Sequence, residues 1–262
     1  MQYHGLSSVF FLSLCFGIVL VAYGQEEHTR RSVLDQRWFP GHATWYGEPE
    51  GDGSNGGACG YSKLVNEKPL KGRVSAGAPV LFQKGKGCGA CYKVKCMDHK
   101  ICSKRAVTVT IMDECPGCRT DKPHFDLSGA AFGRLALPGQ AQVLRNKGEL
   151  DITYRRTPCK YAGKSIGFHV NEGSSPYWLS LMVVYADGDG DVSSMHIQEA
   201  GSGKWEEMKH LWGAYWVIIK GPLKGPFSVK VTTSTGKSLT AKNVIPSNWT
   251  PKSTYNTNSK FK

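Results

Sequence analysis

The chain has 262 residues, with 33 Lys and Arg against 21 Asp and Glu, so its formal net charge is +12. Hydrophobic residues make up 40% of the chain, an ordinary share for a globular protein, which excludes a disordered or fibrous chain. At this length two domains of roughly 100 to 140 residues are expected, with one large domain as the alternative. The 31 Gly and the 11% aromatic content favour turn-rich β structure with exposed aromatic surfaces.

Residues 1–24 have the features of a secretory signal peptide. Residues 9–22 form an uncharged apolar run, shorter than the roughly 20 residues of a membrane-spanning helix, and Ala22 and Gly24 offer small residues for cleavage. No second long apolar run follows, which predicts a secreted protein without a transmembrane span. A buried core helix is the alternative for this run.

Residues 25–37 are charged and lack periodicity, which predicts an N-terminal extension. The next segment, 38–159, holds all eight cysteines that remain after the signal peptide is removed. An even number of cysteines in an oxidising compartment predicts a disulfide framework, although their spacing leaves the pairing open. Two Cys-X2-Cys spacings, at 88–91 and 115–118, leave a zinc site as the alternative.

Short β-type runs and glycine-rich turns fill the cysteine-rich segment. The runs lie at 107–111 and 150–154, and the turns lie at 51–60 and 85–89. A helix is predicted at 129–136, because Ser128 precedes it and Pro138 follows it. The pattern predicts a disulfide-stapled barrel with one or two short helices.

After residue 159 the pattern changes to period-two alternation, which predicts a small β-sandwich over 160–262. The candidate strands lie at 166–170, 179–185, 192–198, 215–219, 227–233 and 239–244, with turns at 187–191 and 234–237. The first turn resembles a calcium loop, but Val192 and Gln198 occupy the positions where an EF-hand needs Gly and Glu. A hairpin turn without metal is therefore predicted there.

Basic residues outnumber acidic ones in both halves of the chain. The sequence has no helix-turn-helix, zinc-finger or RNA-recognition pattern, and secretion separates it from nucleic acid. An acidic polysaccharide matrix or an anionic cell surface is the expected counter-charge. In such a location Asn248 becomes a glycosylation acceptor, since Thr250 completes its sequon, although Pro251 follows directly.

Six motifs carry a resemblance to a known family. They are ATWYG at 43–47, NGGACG at 55–60, GKGCGACY at 85–92, VTVTIMD at 107–113, HFDLSG at 124–129 and KGPFS at 224–228. The sequence resembles the plant β-expansins, a family that includes the group-1 grass pollen allergens, over essentially the whole chain after the signal peptide.

The resemblance implies an all-β protein. Its N-terminal domain, 38–159, would be a six-stranded double-psi β-barrel related to family-45 glycoside hydrolases. Its C-terminal domain, 160–262, would be an immunoglobulin-like β-sandwich that binds polysaccharide. The implied disulfides are Cys59–Cys88, Cys91–Cys159 and Cys96–Cys102, and the two cysteines left over, Cys115 and Cys118, are then expected to bond to each other.

The resemblance also implies an activity. A monomeric, secreted wall protein would loosen the plant cell wall without hydrolysis, in a pH-dependent way and with no cofactor or metal. It would act by disrupting contacts between cellulose and matrix glycans such as xylans. A passive polysaccharide-binding protein is one alternative to this interpretation.

A cryptic endoglucanase is the second alternative. An inverting glycosidase needs a general acid and a general base roughly 6.5 to 9.5 Å apart. Asp126 matches the acid position of the related hydrolases, but Gly47, Glu48 and Pro49 stand where the base would be. The candidates to replace the base are the loop carboxylates of Glu48, Glu50 and Asp52.

The same resemblance assigns polysaccharide-binding positions. In the barrel groove these are Thr44, Trp45, Tyr46, Asp113, His124 and Asp126, and in the sandwich they are Trp178 and Trp212. One departure is that Ser54 and Asn55 stand where many relatives carry a groove Asp. Flat aromatic rings stack on the apolar faces of sugars, although one Trp of a sandwich is expected in its core. Tyr215 and Trp216 alternate, so one of them is expected to face inward.

Overall fold

The computed structural model describes residues 36–53, 57–98, 100–119 and 122–262. The predicted signal peptide, all but the last two residues of the predicted extension, and the Ser54–Asn55 departure lie outside these ranges. Within the described ranges no helix is both long and apolar enough to cross a membrane.

Six strands form a closed barrel in the first half of the chain. They are β1 (Phe39–Tyr46), β2 (Val74–Gly77), β3 (Cys91–Cys96), β4 (Val107–Glu114), β5 (His124–Ser128) and β6 (Leu150–Arg156). Their order around the barrel is β1-β5-β2-β4-β3-β6, and β6 returns to β1. The pairs β1–β5 and β2–β4 are parallel and the other four are antiparallel. The predicted barrel is therefore confirmed.

Short helices connect the barrel strands. In the described chain they are the α-helices α1 (Pro79–Phe82), α2 (Gly129–Gly133) and α3 (Ala141–Lys147), three where one or two were predicted, and two 3-10 helices at Lys63–Asn66 and Gln83–Gly85. The predicted helix at 129–136 ends at Gly133. Its start is as expected, because the Ser128 hydroxyl accepts a hydrogen bond from the Ala131 N–H at 3.1 Å.

Eight strands form the second half. They are β7 (Ile166–Val170), β8 (Trp178–Val184), β9 (Ser194–Glu199), β10 (Glu206–Trp212), β11 (Tyr215–Ile219), β12 (Phe227–Thr232), β13 (Ser238–Ile245) and β14 (Thr254–Thr257). Their order is β13-β12-β9-β10-β11-β8-β7-β14. The start of β10 pairs with β9 and its end pairs with β11, so β10 joins two layers. Phe168 and Leu181 from one layer and Phe227 and Val229 from the other share one core, which confirms the sandwich.

The loop at 187–191 is not the predicted hairpin. Its flanking strands β8 and β9 belong to different layers and do not pair, so the loop crosses from one layer to the other. It also contacts the barrel: Nη2 of Arg156 on β6 donates to the Asp189 carbonyl at 2.5 Å and lies 3.2 Å from Asp191 Oδ1. The turn at 234–237, by contrast, joins the paired strands β12 and β13 as predicted.

Four disulfides join the eight cysteines. They are Cys59–Cys88, Cys91–Cys159 and Cys96–Cys102, which the resemblance implied, and Cys115–Cys118, the bond expected between the two remaining cysteines. The zinc alternative is wrong, because these cysteines leave no free thiolate to bind the metal. Cys91–Cys159 lies where the barrel meets the sandwich, next to a close approach of Gly89 and Gly190. A Cβ on Gly89 would lie 2.4 Å from the Gly190 carbonyl oxygen.

Candidate functional site

The register of β1 against β5 places two predicted groove residues side by side. Thr44 pairs with Asp126, and the Thr44 hydroxyl donates a hydrogen bond to Asp126 Oδ1 at 2.6 Å. The same hydroxyl oxygen lies 3.0 Å from Nε2 of His124. Since the hydroxyl proton is given to Asp126, the hydrogen on Nε2 of His124 is assigned as the donor to Thr44. The three side chains form one hydrogen-bonded unit.

Burial sets the ionisation of this unit. It raises the pKa of Asp126, and the nearby charge of Asp113 raises it further, whereas the Thr44 hydrogen bond and His124 lower it. Burial also lowers the pKa of His124, against the opposing effect of Asp126. Asp126 is therefore easier to protonate than an exposed carboxylate, and His124 is harder to protonate than an exposed imidazole.

Asp113 lies beside this unit, across one strand. Ala76 on β2 pairs with Asp126 on one side and with Asp113 on the other. Because neighbouring strands lie about 4.8 Å apart, the backbones of the two acids are about 10 Å apart. Asp113 Oδ1 accepts the N–H groups of Ala58 at 2.6 Å and Glu114 at 2.8 Å. The structure thus brings Asp113, His124 and Asp126 together, and Asp113 also ties the segment around Ala58 to the barrel.

The loop that follows β1 holds the three alternative carboxylates. Glu50 Oε1 lies 2.5 Å from Nη2 of Arg145, a buried residue of α3 whose Nη2 also donates to the Gly129 carbonyl at 3.2 Å. Gly53 closes the loop over the Tyr46 ring, since a Cβ there would lie 2.3 Å from Tyr46 Cζ. Sequence reasoning missed Arg145, because one cation in a short helix gives no sign that it will be buried.

Trp45 is the one predicted barrel residue that lies apart from the others. Alternation along β1 places Trp45 on the opposite face of the strand from Thr44. Its half-buried indole donates its N–H to the Arg145 carbonyl at 3.0 Å, and its ring lies 6.3 Å from that of Phe132. Trp45 therefore packs against α2 and α3, and its contact with a glycan stays a prediction.

Trp212 lies at the end of the sandwich that meets the barrel. Its ring is 45% exposed and lies 5.0 Å from the ring of Tyr215. Tyr215 and Trp216 are both buried, so the alternation did not predict the outcome fully. Trp216 enters the sandwich core, while Tyr215 on the other face packs into the core of the barrel.

Trp178 lies at the far end of the same sheet face. It pairs with Ile219, which is four residues beyond Tyr215 on β11 and thus about 13 Å along the strand. Trp178 is half-buried, whereas its neighbours Tyr177 and Ile219 are 62% and 73% exposed. Sequence reasoning missed these two. The alternation along β11 could have predicted one of them, because it places Ile219 on the same face of the strand as Tyr215 and Val217.

A short backbone connection links the barrel floor, formed by Thr44, Asp113, His124 and Asp126, to this face. Ala58, bound to Asp113, is followed by Cys59, whose carbonyl accepts the Ala214 N–H at 3.1 Å. A Cβ on the adjacent Gly60 would lie 2.7 Å from both the Trp212 and Tyr215 rings. Three consecutive residues, Ala58 to Gly60, thus join the strand end that carries Asp113 to the part of the sandwich that carries Trp212.

The predicted glycosylation site lies after the last long strand of the sandwich. Asn248 is exposed after β13, and its glycosylation stays a prediction. In the described part of the chain, no three His, Cys, Asp or Glu side chains are grouped so as to hold a metal ion.

Comparison with known protein families gives two matches. The model described as "Expansin C-terminal domain" matches residues 166–246, and the model described as "Lytic transglycolase" matches residues 74–154. Expansin-B3 of Arabidopsis thaliana is 57% identical over 98% of both chains. Expansin-B1 of the same plant is 59% identical over 89% of this chain and 88% of its own. Expansin-B16 of Oryza sativa subsp. japonica is 55% identical over 98% and 95%.

A solved structure has the same architecture. The crystal structure of apo Clavibacter michiganensis expansin superimposes with a TM-score of 0.66 at 26% identity, covering 86% of this chain and 98% of that one. A point mutant of the same bacterial protein, crystallised in complex with cellohexaose, matches with the same values.

Proposed function

The chain belongs to the β-expansin family and is a cell-wall-loosening protein, and from that premise we propose how it acts. It is a secreted monomer that disrupts non-covalent contacts between cellulose and matrix glycans without cleaving a glycosidic bond. Its two domains, 38–159 and 160–262, bind one glycan chain along a shared open surface.

The observation that best supports this proposal is the short backbone connection between the barrel floor and the aromatic face. The Thr44–Asp126–His124 unit offers hydrogen-bonding groups to sugar hydroxyls at one end. Trp212 and Trp178 offer flat rings to the apolar faces of sugars at the other. An arrangement of this kind binds a polymer along its length and competes with the contacts between neighbouring polymers. The bacterial relative in complex with cellohexaose supports a β-linked glucan as one ligand.

The carboxylates favour binding over hydrolysis. Asp126 has the raised pKa of a general acid, but hydrolysis by inversion also needs a carboxylate that activates water. Asp113 accepts two backbone N–H groups, and Glu50 is paired with Arg145. Both acids therefore have structural partners that compete with a water molecule.

A cryptic endoglucanase is the second candidate, because Asp113 and Asp126 are separated by a single strand. Constant-load extension of heat-inactivated plant walls, with a reducing-sugar assay on the same samples, separates the candidates. We expect extension without new reducing ends. Sugar release that disappears in Asp126→Ala would establish the endoglucanase, and wall binding without extension would establish a passive binding protein.

The matched control is Glu207→Gln, which removes an exposed carboxylate from β10 in the sandwich. Wall extension by this variant should equal that of the unmodified protein. If Glu207→Gln and Asp126→Ala lose extension equally, the assay reports net charge and the role proposed for the barrel floor is wrong.

A further inference from the structure

A concave site lies on the barrel wall, and none of the residues of the polar floor lines it. It is a cleft of about 460 Å³ bordered by β3, β4, β6 and the segment after residue 156. Arg155 in its wall follows Tyr154, which pairs with Phe39 at the start of β1, whereas Tyr46 is at the end of β1. Five residues of β1, about 16 Å, separate Phe39 from Thr44 of the floor, and three residues of β4, about 10 Å, separate Thr110 in the cleft from Asp113.

The wall of the cleft is cationic. Arg73, Lys93, Arg155 and Lys160 line it, and no Asp or Glu of the described chain does. A cationic concavity without carboxylates concentrates anions, because its low-dielectric walls focus the field.

The nearby acids already have partners. Glu67 accepts a hydrogen bond from the Tyr185 hydroxyl at 3.3 Å and lies 3.8 Å from Lys164 Nζ. Asp187 accepts the backbone N–H of Tyr161 at 2.8 Å. These carboxylates leave the charge of the cleft uncompensated.

Two of the cations face each other directly. Lys93 on β3 pairs with Arg155 on β6, so both side chains lie on the same face of adjacent strands. Like charges in directly opposed positions destabilise a sheet. Neither Lys93 nor Lys160 forms an ion pair with a described carboxylate. An anion held between these groups would remove the repulsion.

The two arginines are held in place by neighbouring groups. Nη1 of Arg155 donates to the Gln36 carbonyl at 3.1 Å and to Gln36 Oε1 at 2.5 Å, and the guanidinium lies 5.0 Å from the Trp38 ring. Nε of Arg155 is buried and has no hydrogen-bond partner. Arg73 Nε donates to the Leu70 carbonyl at 3.0 Å. An unpaired buried donor on a fixed guanidinium indicates a missing acceptor.

Three of the buried residues that line the cleft carry hydroxyl groups. Thr110, Thr157 and Tyr161 lie at its base and are buried, next to the Cys91–Cys159 disulfide. Hydroxyl groups beneath a cationic wall suit a ligand that carries both hydroxyls and a carboxylate. The volume lies within the range of sites that hold whole small molecules, so a sugar ring fits it better than an inorganic anion alone.

We propose that this cleft binds a uronate residue of an acidic polysaccharide, with its carboxylate between Arg73, Lys93 and Arg155. Guanidinium groups recognise planar carboxylates through paired N–H donors, which favours a carboxylate over a neutral sugar. The source of the carboxylate, a wall glycan, rests on the proposed function. The site itself is separate from the floor and would hold the protein on acidic glycans while the floor engages another chain.

The experiment is titration of the full mature protein with trigalacturonic acid, followed by backbone NMR shifts and calorimetry. Its fully methyl-esterified form serves as the neutral probe and inorganic phosphate as the small anion. Lys93→Gln with Lys160→Gln removes two cleft cations that make no side-chain hydrogen bond or ion pair with described residues. Lys104→Gln with Lys242→Gln is the matched control, because it removes the same charge from exposed sites elsewhere.

We expect saturable binding of trigalacturonate with shifts at the cleft, at least tenfold weaker in the Lys93/Lys160 variant and unchanged in the control. Arg155→Lys keeps the positive charge but loses the paired N–H donors of the guanidinium, so it should also weaken the binding of trigalacturonate. Equal loss in both double variants would overturn the proposal in favour of diffuse charge attraction. Equal binding of the methyl ester would show that the carboxylate is irrelevant, and binding of phosphate alone would show an anion site without a glycan. This titration contains no cell wall, so a negative result would contradict the uronate site and would not affect the wall-extension test of the proposed function.

Discussion

The barrel and the sandwich are stabilised in different ways. All four disulfides join residues between 59 and 159, while the sandwich has an apolar core built from alternating strands and no cysteine. The barrel contains two parallel strand pairs, and parallel strands need long connections. Cys59, Cys88, Cys102, Cys115 and Cys118 lie in such connections, outside the strands. Antiparallel neighbours in the sandwich need only short turns.

The two regions also carry different functional groups, titratable side chains in the barrel and exposed aromatic rings in the sandwich. The barrel places titratable groups on elements whose connections are cross-linked, so Thr44, His124 and Asp126 keep hydrogen-bonding geometry despite partial burial. The sandwich places aromatic rings on regular strands, where alternation alone fixes which face they occupy. The polar groups therefore lie on strands whose connections are cross-linked, and the aromatic rings lie on strands that no disulfide joins.

The largest effect is expected from removing Cys91–Cys159 by alanine at both positions. This bond closes a sequence separation of 68, and by the chain-entropy model its loss costs roughly 4 kcal/mol of unfolding free energy. Removing Cys115–Cys118, with a separation of 3, is the control and should cost roughly 2 kcal/mol. Urea unfolding measures both. Equal losses would mean that the disulfides do not stabilise the barrel through its long connections.

A smaller effect is expected from Trp178→Ala combined with Trp212→Ala. If each ring contributes about 1 kcal/mol of stacking, binding to cellulose weakens roughly thirtyfold. Trp205→Ala is the control, because Trp205 is half-buried just before β10 with Lys230 5.2 Å from its ring. Pull-down isotherms with insoluble cellulose check this. Unchanged retention in the double variant would contradict a stacking face on β8 and β10.

The pH dependence of wall extension tests the role of Asp126 in the barrel. Wall extension should rise as pH falls through the raised pKa of Asp126, because protonation removes a buried charge from the floor. Asp126→Asn should give a flat profile between about pH 4 and 7. Extension at constant load across that range measures it, with Glu207→Gln as the control. A flat profile for the unmodified protein would contradict the role of Asp126.

The same shift predicts a stability change. The pKa of Asp126 is higher in the folded protein than in the unfolded chain. The stability that this shift contributes is therefore fully present below the unfolded pKa and is lost as pH rises through the folded pKa. Asp126→Asn should therefore gain stability relative to the unmodified protein on going from pH 4 to pH 7. Urea midpoints at the two pH values test this, and a difference of opposite sign would show that burial does not control the Asp126 pKa.

The smallest effect is expected from Glu50→Gln. The carboxylate is 80% exposed, so its pair with Arg145 contributes at most about 1 kcal/mol after solvent screening. Arg145→Met should cost more, because the buried guanidinium also donates to the Gly129 carbonyl. Thermal unfolding compares the two variants. Equal costs would mean that the ion pair, and not the buried hydrogen bonds, holds the loop over Tyr46.

Much of the fold follows from local pattern, and the exceptions have physical causes. The strands predicted at 166–170 and 215–219 match β7 and β11, because alternating apolar residues suit a two-layered sheet. β10 and β14 were not predicted. β10 carries the charged residues Glu206, Glu207 and Lys209, so its sequence lacks the alternating apolar pattern of the other strands. β14 is an edge strand of only four residues, which is too short to show a pattern. β1 contains Pro40 and Gly41, which normally argue against a strand.

Residue patterns and motifs were enough to predict the class of protein, the cysteine-rich barrel, the alternating strands of the sandwich and the residues around Thr44 and Asp126. The strand pairing was needed to show that Ala76 lies between Asp113 and Asp126, that the barrel buries Tyr215 and that Lys93 opposes Arg155. The reason is that periodicity records which face of one element is buried. It does not record which distant strand pairs with that element, or in what register.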